Sequence, residues 1–259
     1  MPSRKKNLIL GNVSSGKSTF INSFLKNSIL PTSNLVCTSK EIKINIKNKN
    51  KYFRLLEERQ EKNRNRKIKI KVERMSDLEN FIQNRQVDSL TLTGPSIERK
   101  LENIIFYDIP GINNSMNEKH KEISMNSLKS NEFNNVFIIL NAENLCTTDD
   151  AVLFNELKRE GYGIQRKINI VVNKIDKIYL SDEDTVEEIE KNLLKFLNNE
   201  KVSNYNIFIY SSIYYELIKK NDLTKRENRE LEVLKEFIID KDLNDMRNRI
   251  IKEFNKKGE

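Results

Sequence analysis

The stretch NLILGNVSSGKSTFINSF, Asn7 to Phe24, sets the fold of this chain. Leu8, Ile9 and Leu10 near its start form a short apolar run, the signature of a buried strand. A glycine follows, then four residues, then Gly16, Lys17 and Ser18, and then helix-forming sequence. Gly11-x4-Gly16-Lys17-Ser18 is the G-x4-G-K-[ST] phosphate-loop pattern in its strand–loop–helix setting. Glycine lets the backbone turn so that successive N–H groups point inward at phosphate oxygens, and the helix N-terminus adds positive potential. Gly11, Asn12, Val13, Ser14, Ser15, Gly16, Lys17, Ser18 and Thr19 are thus read as nucleotide-binding. Lys17 is placed to bridge β- and γ-phosphates, and the Ser18 hydroxyl to coordinate Mg²⁺.

Outward from this loop, continuous apolar runs recur: NIIFYDIPG at 103–111, NVFIILNA at 135–142, INIVVNKID at 168–176 and NIFIYSS at 206–212. Helical segments alternate with them at Glu118–Glu132, Thr147–Glu160 (closed by Gly161) and Ser181–Asn199. That alternation predicts an α/β fold with a mainly parallel central sheet and helices on both faces. From Asn228 the tail is helical, with Leu231, Leu234 and Ile238 on one face, then Leu243, Met246, Ile250 and Phe254 at three-to-four spacing. Its polar face carries both charge signs, which favours packing against the domain or a partner helix over lying in a membrane.

Between the first helix and the second apolar run the pattern is different. EIKINIKNK (41–49) and KIKIKV (67–72) alternate apolar and polar residues as half-buried strands do. Tyr52–Asn63 is charged and helix-prone, Ser76 and Glu79 stand at capping-box spacing before a short helix, and DSLTLTGP (88–95) reads as a strand. Residues 43–74 hold thirteen Lys/Arg and four Glu, a net of +9 against +8 for the whole chain of 259 residues. The basic character is local. It reads either as a solvated surface hairpin or as a contact for anionic lipid or nucleic acid. No nucleic-acid module with stacking aromatics is visible, which counts against RNA or a ribosome as partner.

Composition narrows the chemistry. The two cysteines, Cys37 and Cys146, lack metal-type spacing and read as free thiols of a reducing compartment. The single histidine, His120, cannot build a histidine-based metal site. No run of about 18 apolar residues and no signal peptide is found, pointing to a cytoplasmic protein, with peripheral membrane contact as the alternative.

Three further elements suit a guanine nucleotide. Asp108 of DIPG ends an apolar strand, where it would hold Mg²⁺ through a water, with the Gly111 N–H at the γ-phosphate. NKID, again at a strand end, offers Asp176 to N1–H and N2–H₂ of guanine, a bidentate pairing adenine lacks. Lys174 would lay its stem across the base and Asn173 brace the loop; such carboxyl ends are where parallel sheets bind ligands. Ser211 and Ser212 of YSSIYY would stand near the base. The threonine that senses the γ-phosphate and completes the Mg²⁺ shell belongs in LPTSNLVCTSKEI, where Thr38 is favoured over Thr32 for standing just before the strand.

Together GNVSSGKSTFINSFL, ILPTSNLVCTSKEI, GPSIERKLENIIFYDIPG, TTDDAVLFNEL and VVNKID resemble the GTPase domain of the dynamin superfamily, the bacterial dynamin-like proteins above all. The Ser-Ser pair inside the phosphate loop and the Leu-Pro before the switch threonine are the more specific marks. The resemblance spans roughly Asn7 to Leu217, and the 70 positions from Thr38 to Asp108 exceed what a minimal Ras-like domain needs. It implies a P-loop GTPase domain over residues 1–225, with the basic insert at about 45–100. A C-terminal helical segment at 226–259 would follow, readable as the start of a stalk or neck.

It also implies a Mg²⁺-dependent GTPase that binds GTP and GDP and dimerises head to head, with a second copy or a related dynamin-like partner. Catalytic roles would fall to Lys17, Thr38 and Ser14, the last as ligand of a K⁺ or Na⁺ ion in the dimer interface. Eukaryotic dynamins carry, before that serine, a glutamine that positions the attacking water; here Val13 occupies the place, and Ile112 follows Gly111. Family members continue into helical stalks and a lipid-binding tip, so the chain is either part of a longer architecture or a small stand-alone relative. Two main functions follow: a GTPase whose dimerisation moves attached helices in membrane remodelling, or a nucleotide-dependent binding switch with little turnover. A ribosome- or RNA-associated GTPase is the third.

Overall fold

A computed structural model describes residues 4–32, 41–61, 64–83, 89–111, 126–129, 132–181, 185–240 and 243–256. The expected helix at Glu118–Glu132 falls mostly outside these, and within it residues 126–129 are helical. Chain order begins with β1 (Lys5–Leu10), α1 (Lys17–Asn22), β2 (Glu41–Ile46), β3 (Phe53–Glu61), β4 (Arg64–Val72), α2 (Met75–Gln83), β5 (Ser89–Gly94) and β6 (Ile104–Asp108). It continues with β7 (Asn135–Asn141), α3 (Thr148–Arg159), β8 (Ile168–Asn173), α4 (Ile175–Ser181), α5 (Val186–Asn199), β9 (Tyr205–Ile209), α6 (Ser212–Ile218), α7 (Lys225–Asp240) and α8 (Leu243–Phe254).

The described strands form one nine-stranded sheet in the order β4-β3-β5-β2-β6-β1-β7-β8-β9. β1 pairs in parallel with β6 and β7, and β7–β8 and β8–β9 continue in parallel. β2 runs antiparallel to β6 and parallel to β5, and β3 is antiparallel to both its neighbours. The sheet is mainly parallel, and the antiparallel pairs all lie on the insert side.

Strand alternation divides the core between the two sheet faces. Ile9, Phe106, Phe137 and Phe208 face one layer with α1 and α8; Leu8, Leu10, Ile138, Ile170 and Val172 face the other with α3 and α5. α8 is anchored by Phe254, fully buried, whose ring meets Phe106 edge-on at 4.8 Å, Phe24 at 5.1 Å and Phe137 at 4.6 Å. α7 buries Leu231, Leu234, Phe237 and Ile238, the first two against Leu217 of α6. Both tail helices thus pack on the domain.

Three local expectations are corrected. The helix-prone reading of Tyr52–Asn63 fails: Phe53–Glu61 is β3, held on both sides by β4 and β5, and pairing overrides a weak helix preference. Its buried Phe53 and Leu55 flank exposed Arg54, a short period-two signal. Ser76 does not cap α2, which already includes it; Asp77 Oδ2 accepts from the N–H groups of Glu73 and Arg74, both at 2.9 Å. The helix expected from Ser181 to Asn199 starts later: a separate short helix, α4, ends at Ser181, and the expected one is α5, from Val186 to Asn199. Thr185 caps α5 in a capping box with Glu188.

Candidate functional site

The phosphate loop lies where β1 hands over to α1. Two glycines hold positive φ there, Gly11 at 151° and Gly16 at 91°. A β-carbon on Gly11 would stand 2.3 Å from the Ile139 carbonyl oxygen, and one on Gly16 would stand 2.4 Å from Asn173 Nδ2. No other residue fits either place without displacing its neighbours. Ser14 also takes a positive φ of 61°, turning the loop between the glycines.

Lys17, nearly buried, donates from Nζ to the carbonyl oxygens of Gly11 and Asn12, both at 3.0 Å. Its ammonium therefore sits inside the curl of the loop. Ser18 Oγ donates to Asp108 Oδ2 at 2.8 Å, a contact across 90 positions made because β6 lies beside β1. Asp108 is fully buried, and burial pushes its carboxyl from 3.8 up to about 6 against the lowering influence of Lys17 and Ser18. Its Oδ1 has no hydrogen-bond partner among the described residues. A buried carboxylate oxygen without a donor costs free energy, which a cation would offset. One hydroxyl and one carboxylate are hard oxygen donors, and Mg²⁺ is ordinarily held by one or two carboxylates together with substrate phosphates and water. The residues fit that ion.

On the far side of the loop stands NKID. Asn173 ends β8 and donates from Nδ2 to the Ser15 carbonyl at 3.2 Å. Its Oδ1 accepts from Ser212 N–H at 3.1 Å and Ser212 Oγ at 2.8 Å. Asp176 is buried, accepts from Ser211 Oγ at 2.7 Å, and burial pushes its carboxyl up. Lys174 takes a positive φ of 65° and reaches Glu143 at 3.5 Å. Asn173–Ser212 and Asp176–Ser211 are therefore two hydrogen-bonded pairs side by side, the first joined to the phosphate loop by Asn173. Gly111 lies against the loop as well: a β-carbon there would stand 2.9 Å from the backbone nitrogen of Val13. Val13 itself is 48% exposed. Thr19 is half-buried in α1. Thr38, Cys37, His120 and Ile112 lie outside the described residues, whereas Thr32 is exposed at the end of 4–32.

Two contributors escaped the sequence reading. Asp150 accepts from Asn12 Nδ2 at 2.7 Å while closing the Thr147 capping box of α3, so a helix start braces the phosphate loop. Thr147-x-x-Asp150 carries that spacing in the sequence, but not its tie to Asn12. Arg247 of α8 donates to the Tyr210 hydroxyl at 2.6 Å, just before Ser211, and to the Ser23 carbonyl at 3.1 Å after α1. Nothing in the local sequence marks it.

With this geometry in view, the likenesses to known proteins are consistent. The family model described as the dynamin family matches residues 8–176. No curated protein matches. Two solved structures of a bacterial dynamin pair align over 97% of this chain at TM-scores of 0.62 and 0.59, with 14% and 16% identity. Both are described as oligomerised, with a mechanism for long-range sensing and tethering of membranes. The chain spans 40% of the length of each.

Proposed function

The chain belongs to the dynamin family, as a GTP-binding domain similar to those of bacterial dynamin-like proteins, and from that premise we propose that it hydrolyses GTP to GDP and phosphate in a nucleotide-dependent dimer. The observation that carries this reading is the Asn173 bridge to Ser15, which sets the base-reading Asp176 at a fixed span from the phosphate loop. Loop N–H groups and Lys17 hold the phosphates, and Asp176, aimed by Ser211, accepts from the guanine edge. Ser18 and Asp108 hold Mg²⁺, which when bound neutralises developing phosphate charge. Thr38 is the residue proposed to complete that shell. The pairing partner is a second copy or a related dynamin-like chain, and Ser14 is the proposed ligand of K⁺ or Na⁺ in the joint surface. The helices after α6 are the elements proposed to move, and membrane remodelling the process served.

Val13 favours a second reading, a binding switch with little turnover. An apolar, half-exposed side chain at the loop offers no hydrogen bond to an attacking water. Turnover measured with K⁺, with Na⁺ and with neither, over a range of protein concentrations and beside Lys17→Ala, separates the two. A rate that rises with concentration supports the dimeric enzyme; a rate no cation and no concentration raises leaves the switch. Light scattering with GDP and aluminium fluoride should double the mass. ATP competing as strongly as GTP would overturn the role of Asp176.

A further inference from the structure

On the insert side, the sheet face opposite the core carries a basic cavity. Phe53, Leu55, Leu92, Ile44 and Ile46 point into the core, so their alternates Arg54, Thr93 and Asn45 stand side by side on the other face. With Arg4, Lys47 and Lys69 they line a cavity of about 270 Å³ that, among the described residues, no Asp or Glu lines. At about 30 Å³ per water this volume holds roughly nine waters, or one small phosphorylated group. Asn45 lies three residues along β2 from Ile42, which faces Asp108, so the cavity is roughly 10 Å along the strand from the nucleotide site.

The side chains there are unevenly committed. Lys47 reaches Glu102 at 3.4 Å and Asn103, and Arg54 donates to the Tyr52 hydroxyl at 3.1 Å. Arg4 and Lys69 meet no carboxylate among the described residues. Arg54 also stands directly across from Lys71, a like-charge pair that cross-strand packing disfavours. Among these cations Asn45 Oδ1 is buried with no hydrogen-bond partner among the described residues. Converging cations call for an anion, whereas a lone buried acceptor calls for a hydroxyl donor on the same ligand.

We infer that this cavity binds a phosphorylated polyol, its phosphate held by Arg4, Arg54 and Lys69 and a hydroxyl by Asn45. Such a group is found free in solution and as a lipid headgroup. Single-stranded nucleic acid is disfavoured because it needs open aromatic faces for its bases. None lines the cavity among the described residues, and the Tyr52 ring nearby is already covered by Arg54 at 5.0 Å and Lys71 at 4.7 Å. The inference does not depend on the GTP reading.

The test is calorimetric titration of the full chain with myo-inositol 1-phosphate, myo-inositol and inorganic phosphate, beside co-sedimentation with vesicles of 30% phosphatidylinositol in phosphatidylcholine. The exposed pair Arg54→Gln/Lys69→Gln is compared with Lys100→Gln/Lys191→Gln, which removes the same charge elsewhere. The expected result is binding of the polyol phosphate ahead of phosphate and of neutral inositol, lost at least tenfold in the first pair and unchanged in the second. Binding of the soluble compound alone identifies a free metabolite as the source; vesicle binding with the same pattern identifies a headgroup. Equal loss in both pairs, or no binding of either phosphate probe by the unaltered chain or the vesicles, overturns the inference. Tighter binding of a 20-nucleotide RNA that only the first pair loses overturns it in favour of nucleic acid.

Discussion

Asn173 occupies the space that a side chain on Gly16 would need: its Nδ2 lies 2.4 Å from the position of a Gly16 β-carbon and donates to the neighbouring Ser15 carbonyl at 3.2 Å. The phosphate-loop motif and the NKID loop are thus fitted by a missing methyl group. Gly16→Ala must push Asn173 out of its bonds with Ser212 or distort a backbone at φ 91°. The expected outcome is loss of nucleotide binding by more than tenfold in a fluorescent-GDP titration and destabilisation of about 1–3 kcal/mol in urea. Asn173→Ala, which removes the obstacle and the bridge together, should weaken binding while unfolding less readily than Gly16→Ala.

Asp108 makes stability depend on pH in an unusual direction. Its carboxyl is raised in the folded chain from 3.8 to about 6, so the folded state holds the proton more firmly than the unfolded one. This group therefore stabilises the fold below about pH 4, loses that contribution between about 4 and 6, and leaves a deficit above. Asp108→Asn should stabilise the nucleotide-free protein at pH 7 by up to about 3 kcal/mol, at 1.36 kcal/mol per unit, and show a smaller change between pH 4 and 7. The same variant should lose the Mg²⁺-dependent part of its thermal shift with GDP. A variant no more stable at pH 7 than the native chain would refute the buried-charge account.

Val13 stands half-exposed beside Gly111, so a longer polar side chain fits there. Val13→Gln supplies the hydrogen-bonding group that the loop lacks. Single-turnover GTP hydrolysis is expected to rise on the order of tenfold, with nucleotide affinity little changed, because positioning a nucleophile acts on the rate rather than on binding.

Arg247 ties α8 to both sides of the site. Besides Tyr210 and Ser23 it meets Glu98 at 3.2 Å, and its guanidinium lies 4.4 Å from the Phe24 ring and 4.3 Å from the Tyr215 ring. Removing it takes one of two partners from the fully buried Tyr210 hydroxyl, which keeps Ser23 Oγ at 2.9 Å, and burial has already pushed that phenol's pKa up to about 12. Arg247→Ala should cost about 3 kcal/mol in denaturant unfolding. Arg247→Lys should recover only part, since one ammonium cannot serve three acceptors in the plane of a guanidinium.

Much of the site was legible in one dimension because its chemistry is written in short segments. Gly11 to Thr19, Asp108 and Asn173 to Asp176 each sit where an apolar strand stops, and that rule needs no contact map. What escaped was non-local. Asp150 reads as a helix cap and Arg247 as one cation among many; their roles exist only because α3 starts beside Asn12 and α8 crosses beneath Tyr210.

By itself the sequence determined the parallel half of the sheet, the strand-end placing of the G-x4-G-K-S and NKID segments, and the amphipathic tail, since burial on both faces demands continuous apolar runs and helices a three-to-four period. Only the tertiary structure decided that Phe53–Glu61 is a strand, because its partners β4 and β5 lie outside the segment that must choose a conformation. It also decided which alternate residues of the insert converge on one basic cavity. Register is a relation between strands, and no single strand contains it.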